Sequence, residues 1–448
     1  MSISVDGIIS GINTSGLIAE MLAGYSAPKG ILENQIDLFG DLREALTGLS
    51  TRLSELSDAL EGLSTPEEFR SYATSYPETN SFTATANGEA IPGVYGVAVS
   101  ALANSELEVS QGFDDQVSTG TIPEGTLTVT VGGVDTQIVV DSTNSSLVEL
   151  ASSIDQVEGV NAYVMNTGES SQPYRLVIQG EETGSSNTIE VDTTGLVGAG
   201  TVPGFTEQVS ASDAQASING ISVTSTSNTF NNVIEGITFE VSGLTTDPVN
   251  VVVSLDSSAM ADKLQTFIDA YNEVVSFVDT NSLAANSEVG IPSGPLNGDS
   301  SARWILQTLR SKISDQYGTG SLDSLSLMGI SSGSDGKLSL NTGDFQAAFQ
   351  TDPSSVEGMF TSESGFGANM VTALDVFIDP IDGSLKQRGD SIDSSIDRLE
   401  IQVESWEDRI ERYENRLRSS FTAFEGAAGQ LQGTAQFLQS YFFSNQGG

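Results

Sequence analysis

Carboxylates are the only abundant side chains in this sequence that could do chemistry. The chain has 60 aspartates and glutamates but no histidine and no cysteine. Without these two residue types there is no thiol nucleophile, no imidazole base, and no thiolate or imidazole ligand for zinc. Two kinds of chemistry remain open. One is calcium binding in an acidic loop, and the other is acid–base catalysis by paired carboxyl groups, as in glycoside hydrolysis.

Three acidic turns are candidates for a cation site: Ser334–Lys337, Asp379–Gly383 and Glu181–Gly184. None has the alternating Asp/Asn spacing and closing glutamate of a calcium-binding loop. Turn formation explains them more simply, because Asp, Ser and Gly favour turns. Gly132-Gly133 also predicts a hairpin turn, since neither Lys-Ser/Thr nor a helix follows it. We therefore predict no catalytic residue, no metal site, no cofactor and no enzymatic activity.

The acidic composition limits the classes of partner. The 448 residues include only 17 bases, which gives a formal net charge of −43, and Arg175 is the sole base between Ser71 and Asp262. Nucleic acids and anionic membranes are bound by clustered Lys and Arg, so neither is an expected partner. No apolar run approaches the ~20 residues that span a bilayer, and membrane insertion is not predicted.

The first residues lack the basic start and apolar block of a cleaved secretory signal. We therefore expect the chain either to stay in the cytoplasm or to be exported by a route that reads no such peptide.

Two long segments, one near each end, carry apolar residues at alternating intervals of three and four. This spacing is the a/d seam of a coiled coil, which keeps one stripe of a helix facing a partner helix. We predict that the two helices pack on each other, so that the middle of the chain leaves the pair and returns to it. The residues assigned to this coiled-coil and assembly seam are Leu42, Leu46, Leu49, Leu53, Leu56, Leu399, Val403, Ile410 and Leu417.

Local signals place the remaining elements. Ala27-Pro28 is expected to separate a short helix, Thr14–Tyr25, from a longer one that ends near Leu63. From Ser81 to about Leu255 the alternating Thr, Ser and Val residues are typical of strands. Within this region Asn219-Gly220 predicts a two-residue hairpin turn. Further helices are predicted at about Ser146–Val157, Ser257–Asp279, Ser301–Gln316, Asp344–Gln350, Phe366–Ile378 and from Ser384 onwards.

These changes of period predict an α+β multidomain fold. It combines terminal coiled-coil helices and a discontinuous helical domain with inserted antiparallel β-rich domains. The predicted parts are an N-terminal leg helix and export region (1–40), a helical domain (41–80 with 256–417), an inner β domain (81–104 with 206–255), an outer β domain (105–205) and a C-terminal leg helix (418–448).

Several motifs, in order along the chain, carry a family resemblance. They are Ile8–Leu22, Ala27–Lys29, Gly93–Ala103, Phe267–Val275, Leu296–Arg303 and Tyr413–Glu425, with a flagellin-like β module at Gly125–Ile189. Together they resemble the hook-associated protein 2 family, the flagellar filament cap proteins also called FliD.

The resemblance implies a structural cap at the distal tip of the bacterial flagellar filament, outside the cell. It implies a homo-oligomeric ring of about five or six copies, with the terminal helices as legs and the β domains as a plate that retains flagellin and promotes its insertion. The implied partners are flagellin, hook-associated proteins, and the flagellar type III export apparatus with its chaperone.

Three alternatives fit parts of the sequence. A surface adhesin would use the β plate to bind a host surface or a glycan, but that role alone would not need the N-terminal motif. A hook–filament junction subunit shares terminal heptads, whereas the motifs starting at Phe267 and Leu296 favour a cap. A polysaccharide hydrolase would rest only on generic carboxylates.

Overall fold

The computed structural model describes residues 11, 13–78, 80–285, 293–317 and 322–445. The chain forms two compact units. The helical unit combines Met1–Ser64 with Lys263–Gly448, and the β unit is Thr65–Asp262. The helical unit is therefore discontinuous in sequence, since the whole β unit lies between its two segments.

The helices in the described ranges differ greatly in length. They are α1 Thr14–Glu61, α2 Pro66–Phe69, α3 Leu147–Ile154, α4 Ser257–Asn281, α5 Ser300–Ser314, α6 Thr342–Thr351, α7 Pro353–Thr361, α8 Phe366–Ile378 and α9 Ser384–Asn445, with a 3-10 helix at Leu325–Met328. None of them is long and apolar enough to cross a membrane.

The core of the helical unit is built from aromatic and aliphatic side chains. Phe267 on α4 meets Phe366 on α8 edge to face, with ring centroids 5.5 Å apart, and both rings are fully buried. Side-chain caps fix where the surrounding helices begin. The Asp299 carboxylate accepts from the first backbone N–H groups of α5, and Asn341 does the same for α6.

Helix α1 runs through Pro28 without a break, so the predicted division at Ala27-Pro28 is wrong. Proline has no N–H for the carbonyl four residues earlier, which costs roughly 3 kcal/mol inside a helix. Contacts with α9 on both sides of the proline favour the continuous helix. Tyr25 packs on Tyr413 with ring centroids 4.4 Å apart, and Lys29 Nζ lies 2.8 Å from Glu407 Oε1.

The strands are short and pair antiparallel. They are β1 Tyr72–Ser75, β2 Phe82–Ala86, β3 Gly93–Ala101, β4 Leu107–Ser110, β5 Gly125–Val131, β6 Val134–Val140, β7 Val160–Asn166, β8 Tyr174–Gly180, β9 Ile189–Leu196, β10 Phe205–Val209, β11 Ala214–Ile218, β12 Ile221–Ser225, β13 Thr229–Ile234, β14 Ile237–Val241, β15 Val249–Leu255, β16 Ile330–Ser332 and β17 Leu338–Leu340.

The β unit contains two hydrophobic cores. The first includes Phe82, Phe230 and Phe239 and is enclosed by the sheets β1-β15-β3-β11-β12 and β13-β14-β2. The second includes Leu150 and Leu176 and is enclosed by β10-β4-β8-β7, β6-β5-β9 and α3. Each core is closed by its own sheets.

Three predicted domain boundaries need correction. The helical domain resumes at Lys263 and not at residue 256. Residues 65–80 belong to the β unit and not to the helical domain, because β1 pairs with β15. Residues 206–209 belong with the second core and not with the inner β domain, because β10 pairs with β4. In these last two cases strand pairing extends past the point where the sequence changes period.

The Asn219-Gly220 hairpin is confirmed. These two residues join β11 to β12 and have φ values of 52° and 82°. Two positive φ values define the type I′ turn, which matches the twist of the flanking strands. Asn and Gly are the residues that adopt this backbone most readily.

Candidate assembly interface on the terminal helix pair

Helices α1 and α9 form an antiparallel pair. Arg43 Nε donates to Asp393 Oδ1 at 3.0 Å, and Lys29 pairs with Glu407. On α1, Lys29 precedes Arg43 by a certain number of residues. On α9, Glu407 follows Asp393 by the same number. The register is therefore constant between these two ion pairs.

An aromatic cluster on the pair reinforces this register. Trp406 meets Tyr25 edge to face, with ring centroids 5.9 Å apart, and the Arg409 guanidinium lies 3.9 Å from the centre of the Trp406 ring. A cation over an aromatic face is attracted by the ring quadrupole. Close by, the hydrogen bond to Glu407 raises the pKa of the Lys29 ammonium, with Glu33 adding to the effect. The charges and rings fix the alignment of the two helices.

The predicted seam residues of α1 lie deep in the helical unit. Leu46, Leu49, Leu53 and Leu56 are at most 2% exposed, and Leu42 is half-buried. Helix α1 contacts α8 as well as α9. It therefore belongs to a multi-helix core and not to a simple two-helix seam.

The predicted seam residues of α9 lie elsewhere along the pair. Leu399, Val403, Ile410 and Leu417 are half-buried. In the register set by Arg43 and Asp393, Leu399 is level with residue 37 of α1 and Leu417 is level with residue 19.

The expected direct packing of the α9 seam residues on Leu42–Leu56 is therefore wrong. Leu53 is level with residue 383, just before α9 begins at Ser384. That level is about 24 Å from Leu399, at ~1.5 Å per residue. Both stripes have the predicted period, but the antiparallel register does not bring them opposite each other. That register depends on a few polar contacts that the apolar spacing does not reveal.

Helix α9 continues past the start of α1. Thr14, the first residue of α1, is level with residue 422, whereas α9 extends to Asn445. The heptad position that is half-buried at Leu417 recurs at Phe424, Leu431 and Leu438, which are 49%, 72% and 46% exposed. We call these three residues the open stripe. A heptad stripe of this kind is the surface that a coiled-coil helix buries against a partner.

The acidic turns show turn chemistry. Asp379 Oδ1 accepts from the backbone N–H groups of Ile381 and Asp382 at 2.8 and 2.7 Å, and these bonds lower the pKa of its carboxyl group. Asp335 Oδ1 accepts in the same way from the backbone of Lys337. Across the described ranges no cluster of carboxylates is arranged to hold a metal ion.

Two family models match the chain. The flagellar hook-associated protein 2 N-terminus matches residues 10–106, and the flagellar hook-associated protein 2 C-terminus matches residues 211–433. The chain belongs to the flagellar hook-associated protein 2 family. Residues 107–210, which contain β4–β10, lie between the two matched ranges.

Hook-associated protein 2 relatives match over nearly the full length. The A-type flagellar hook-associated protein 2 of Pseudomonas aeruginosa is 29% identical, over 97% of this chain and 96% of the relative. The flagellar hook-associated protein 2 of Escherichia coli K12 is 26% identical, over 99% of both chains. The fold is similar to the crystal structure of the D1-D2-D3 domains of the E. coli flagellar cap protein FliD. That match has a TM-score of 0.62 and 26% identity, and it covers 78% of this chain and 99% of that one.

Membership of the hook-associated protein 2 family confirms the resemblance drawn from the motifs and the predicted fold class, with terminal helices and antiparallel sheets between them. The family is one of structural flagellar cap proteins, not of enzymes. The prediction of a chain without enzymatic activity is confirmed on that ground.

Proposed function

We propose that this protein forms the cap at the distal tip of a bacterial flagellar filament, where it retains exported flagellin and promotes its insertion without a chemical step. The proposal includes a homo-oligomer of about five or six copies arranged as a closed ring. Family membership supports the cap role. The exposed apolar surface of the terminal helix pair supports its role in assembly.

The observation that carries the proposal is the open stripe. Burying a large apolar side chain contributes about 1.5–3 kcal/mol relative to leaving it in water. Phe424, Leu431 and Leu438 therefore offer a sizeable binding energy to any helix that covers them. Helical segments of neighbouring subunits at the filament tip would be such partners, which fits flagellin and the hook-associated proteins.

The nine seam residues have a supporting role in this proposal. The buried leucines of α1, such as Leu49 and Leu53, anchor the helix in its unit. The half-buried residues of α9, such as Leu399 and Ile410, hold the two helices together further along the pair. The open stripe is then presented at the end of a stiff support.

We further propose that the protein works outside the cell, at the flagellum tip, and reaches it through the flagellar type III pathway with the help of a chaperone. The absence of cysteine suits this route, because an unfolded chain without thiols cannot form wrong disulfides outside the cell.

The experiment is a motility and secretion assay in a strain whose own cap gene is replaced by variants. Leu431→Asp puts a charge in the open stripe, and Gln436→Asp puts the same charge on another face of the same helix. We expect the first strain to release unpolymerised flagellin and to lose motility, and the second to swim normally. Full filaments in the Leu431→Asp strain would refute the role of the open stripe.

A second arm separates the cap from the alternatives. Purified protein added to filaments that lack a cap should restore growth from exported flagellin. A deletion strain that still builds full-length filaments and swims would contradict the cap function. The surface adhesin would then be the favoured alternative. Filaments that detach at the base, while free ends still grow, would favour the junction subunit.

A further inference from the structure

Strand β4 has its charged and apolar residues on the opposite faces from those expected of a half-exposed strand. Its sequence is Leu107-Glu108-Val109-Ser110, and Glu108 pairs with Ile178 of β8, whose side chain belongs to the second hydrophobic core. Glu108 therefore points to the core face, while Leu107 and Val109 lie on the outer face. A solvated antiparallel sheet normally has the reverse arrangement.

The inward position of Glu108 is unfavourable. Its Oε2 atom is buried and accepts no hydrogen bond from the described residues. Glu207 lies directly across from it on β10, and Glu106, two residues earlier in the chain, is 5% exposed. Burial, followed by repulsion from Glu106 and Glu207, raises the pKa of Glu108 to about 7. A one-residue shift would return this carboxylate to water, so the apolar outer face is kept at a cost in stability.

The outer face of the sheet β10-β4-β8-β7 forms a cleft of about 670 Å³. Val109, Leu107 and Met165 supply apolar surface, Gln111 and Gln208 supply neutral polar groups, and none of the described residues that line it is a carboxylate. Clefts of this size with a few polar groups are typical of binding sites. Met165 is 42% exposed, so the apolar surface is accessible.

Arg175 places the only positive charge between Ser71 and Asp262 in this cleft. It pairs with Met165 across β8 and β7. Its Nη1 donates to the Ser110 carbonyl at 3.2 Å, and its Nη2 lies 3.8 Å from Glu169 Oε2, a long ion pair. The backbone contact positions the guanidinium, whose fork of N–H donors suits a carboxylate.

We propose that this cleft binds an acidic segment of a second copy of this chain, with Arg175 holding a carboxylate and Leu107, Val109 and Met165 covering an apolar neighbour. The inference rests on the proposed function, because it names a surface through which copies of the cap meet.

Charge complementarity selects the second copy as the occupant. Two chains that each carry a net charge of −43 repel each other over most of their surfaces. The cleft is a place where the approaching chain meets a base and an apolar surface, and its own 60 acidic residues offer the matching group. A cleft that binds a different surface of the next copy makes a head-to-tail contact, and such contacts form a ring when the rotation from copy to copy closes on itself.

The area of the face sets the expected strength. Four strands about 4.8 Å apart and ~17 Å long present roughly 300 Å², whereas a stable pair buries about 800 Å² on each partner. Two copies should therefore associate weakly, and a closed ring should form cooperatively with concentration, since each copy then makes two contacts.

The experiment measures self-association of the full chain by sedimentation velocity and native mass spectrometry over a range of concentrations. Arg175→Gln and Arg175→Glu should weaken ring formation at least tenfold, with the larger loss for Glu, and Arg175→Lys should recover part of it. Arg303→Gln is the matched control, because Arg303 also donates to backbone carbonyls and its loss changes the charge equally.

Met165→Asp provides a second variant that leaves Arg175 in place, in case the arginine variants fail to fold. It should weaken association comparably while the amide protection of β7 and β8 is unchanged. Rings of Arg175→Glu and Met165→Asp that form at the wild-type concentration would overturn the inference, and so would a wild-type chain that stays monomeric at every concentration. The filament assay is independent. If Arg175→Glu protein still forms rings and caps filaments, this inference is refuted and the proposed function stands. If the wild-type chain forms rings that do not cap filaments, the proposed function is refuted and this inference stands.

Discussion

Replacing Glu108 by Gln should stabilise the β unit at neutral pH. The substitution keeps the shape of the side chain and removes its charge. In the folded chain the pKa of Glu108 is about 7, against an ordinary value of 4.5. Below about pH 4.5 the carboxyl group is protonated whether the chain is folded or not, and there is no penalty. The penalty grows as the pH rises from about 4.5 to 7, and above pH 7 it is complete.

The size of the effect follows from the pKa difference of about 2.5, which at ~1.4 kcal/mol per pKa unit gives an upper limit of about 3.5 kcal/mol. Glu108 is only partly buried, and water screens such a group. We therefore expect about 1–2 kcal/mol at pH 8 and no difference near pH 4.5.

The assay is amide hydrogen exchange of the full chain, read by mass spectrometry on peptides that cover β4 and β10. After correction for intrinsic exchange rates, wild-type protection should fall between about pH 4.5 and 7, and that of Glu108→Gln should stay flat. Glu190→Gln, which removes an exposed carboxylate on β9, is the control and should follow the wild type. Parallel curves for wild type and Glu108→Gln, or a less protected variant at pH 8, would refute the reasoning.

Three further outcomes are expected. Leu53→Ala should lower the free energy of unfolding by about 2–5 kcal/mol, and Leu399→Ala by about 1 kcal/mol because Leu399 is half-buried; equal losses in urea unfolding would contradict this difference in burial. Pro28→Ala should stabilise the first part of α1 by up to ~3 kcal/mol, seen as slower amide exchange, and faster exchange would count against it. Raising NaCl from about 0.01 to 1 M, which shortens the Debye length from ~30 to ~3 Å, should raise the melting temperature of this acidic chain; a fall would disprove dominant self-repulsion.

The long helices were the easiest elements to predict from sequence. The start of α9 at Ser384 and both bounds of α8 follow from apolar periodicity and flanking Gly and Asp residues. Helix α7 is missing from the sequence prediction, although Asp352 before Pro353 is a helix start signal. In the structure Asp352 Oδ1 accepts from the Ser355 N–H. The heptads could not give the register of α1 and α9, because it depends on ion pairs between residues that are far apart in sequence.

The β unit shows why its candidate site could not be predicted from sequence. Arg175 is visible as an isolated base in a long acidic stretch, but its cleft exists only once β4, β8 and β10 are paired. The alternation of Leu107, Glu108 and Val109 favours the opposite assignment, with the apolar residues inside. The sequence pattern gives the period of a strand, whereas the face that is buried depends on pairing partners supplied by distant segments.

The antiparallel pairing of α1 with α9 determines which part of the protein folds last. The contact between Arg43 and Asp393 joins residues 350 positions apart, and contacts across such long separations form late, because the intervening chain must first be brought together. When a chain is synthesised from its N-terminus, the residues of α1 and of the β unit are available before those of α9. The leg therefore forms last, and a chain interrupted before α9 would carry a folded β unit without the helix that presents the open stripe. Because such fragments lack the open stripe, they would be kept out of the assembly.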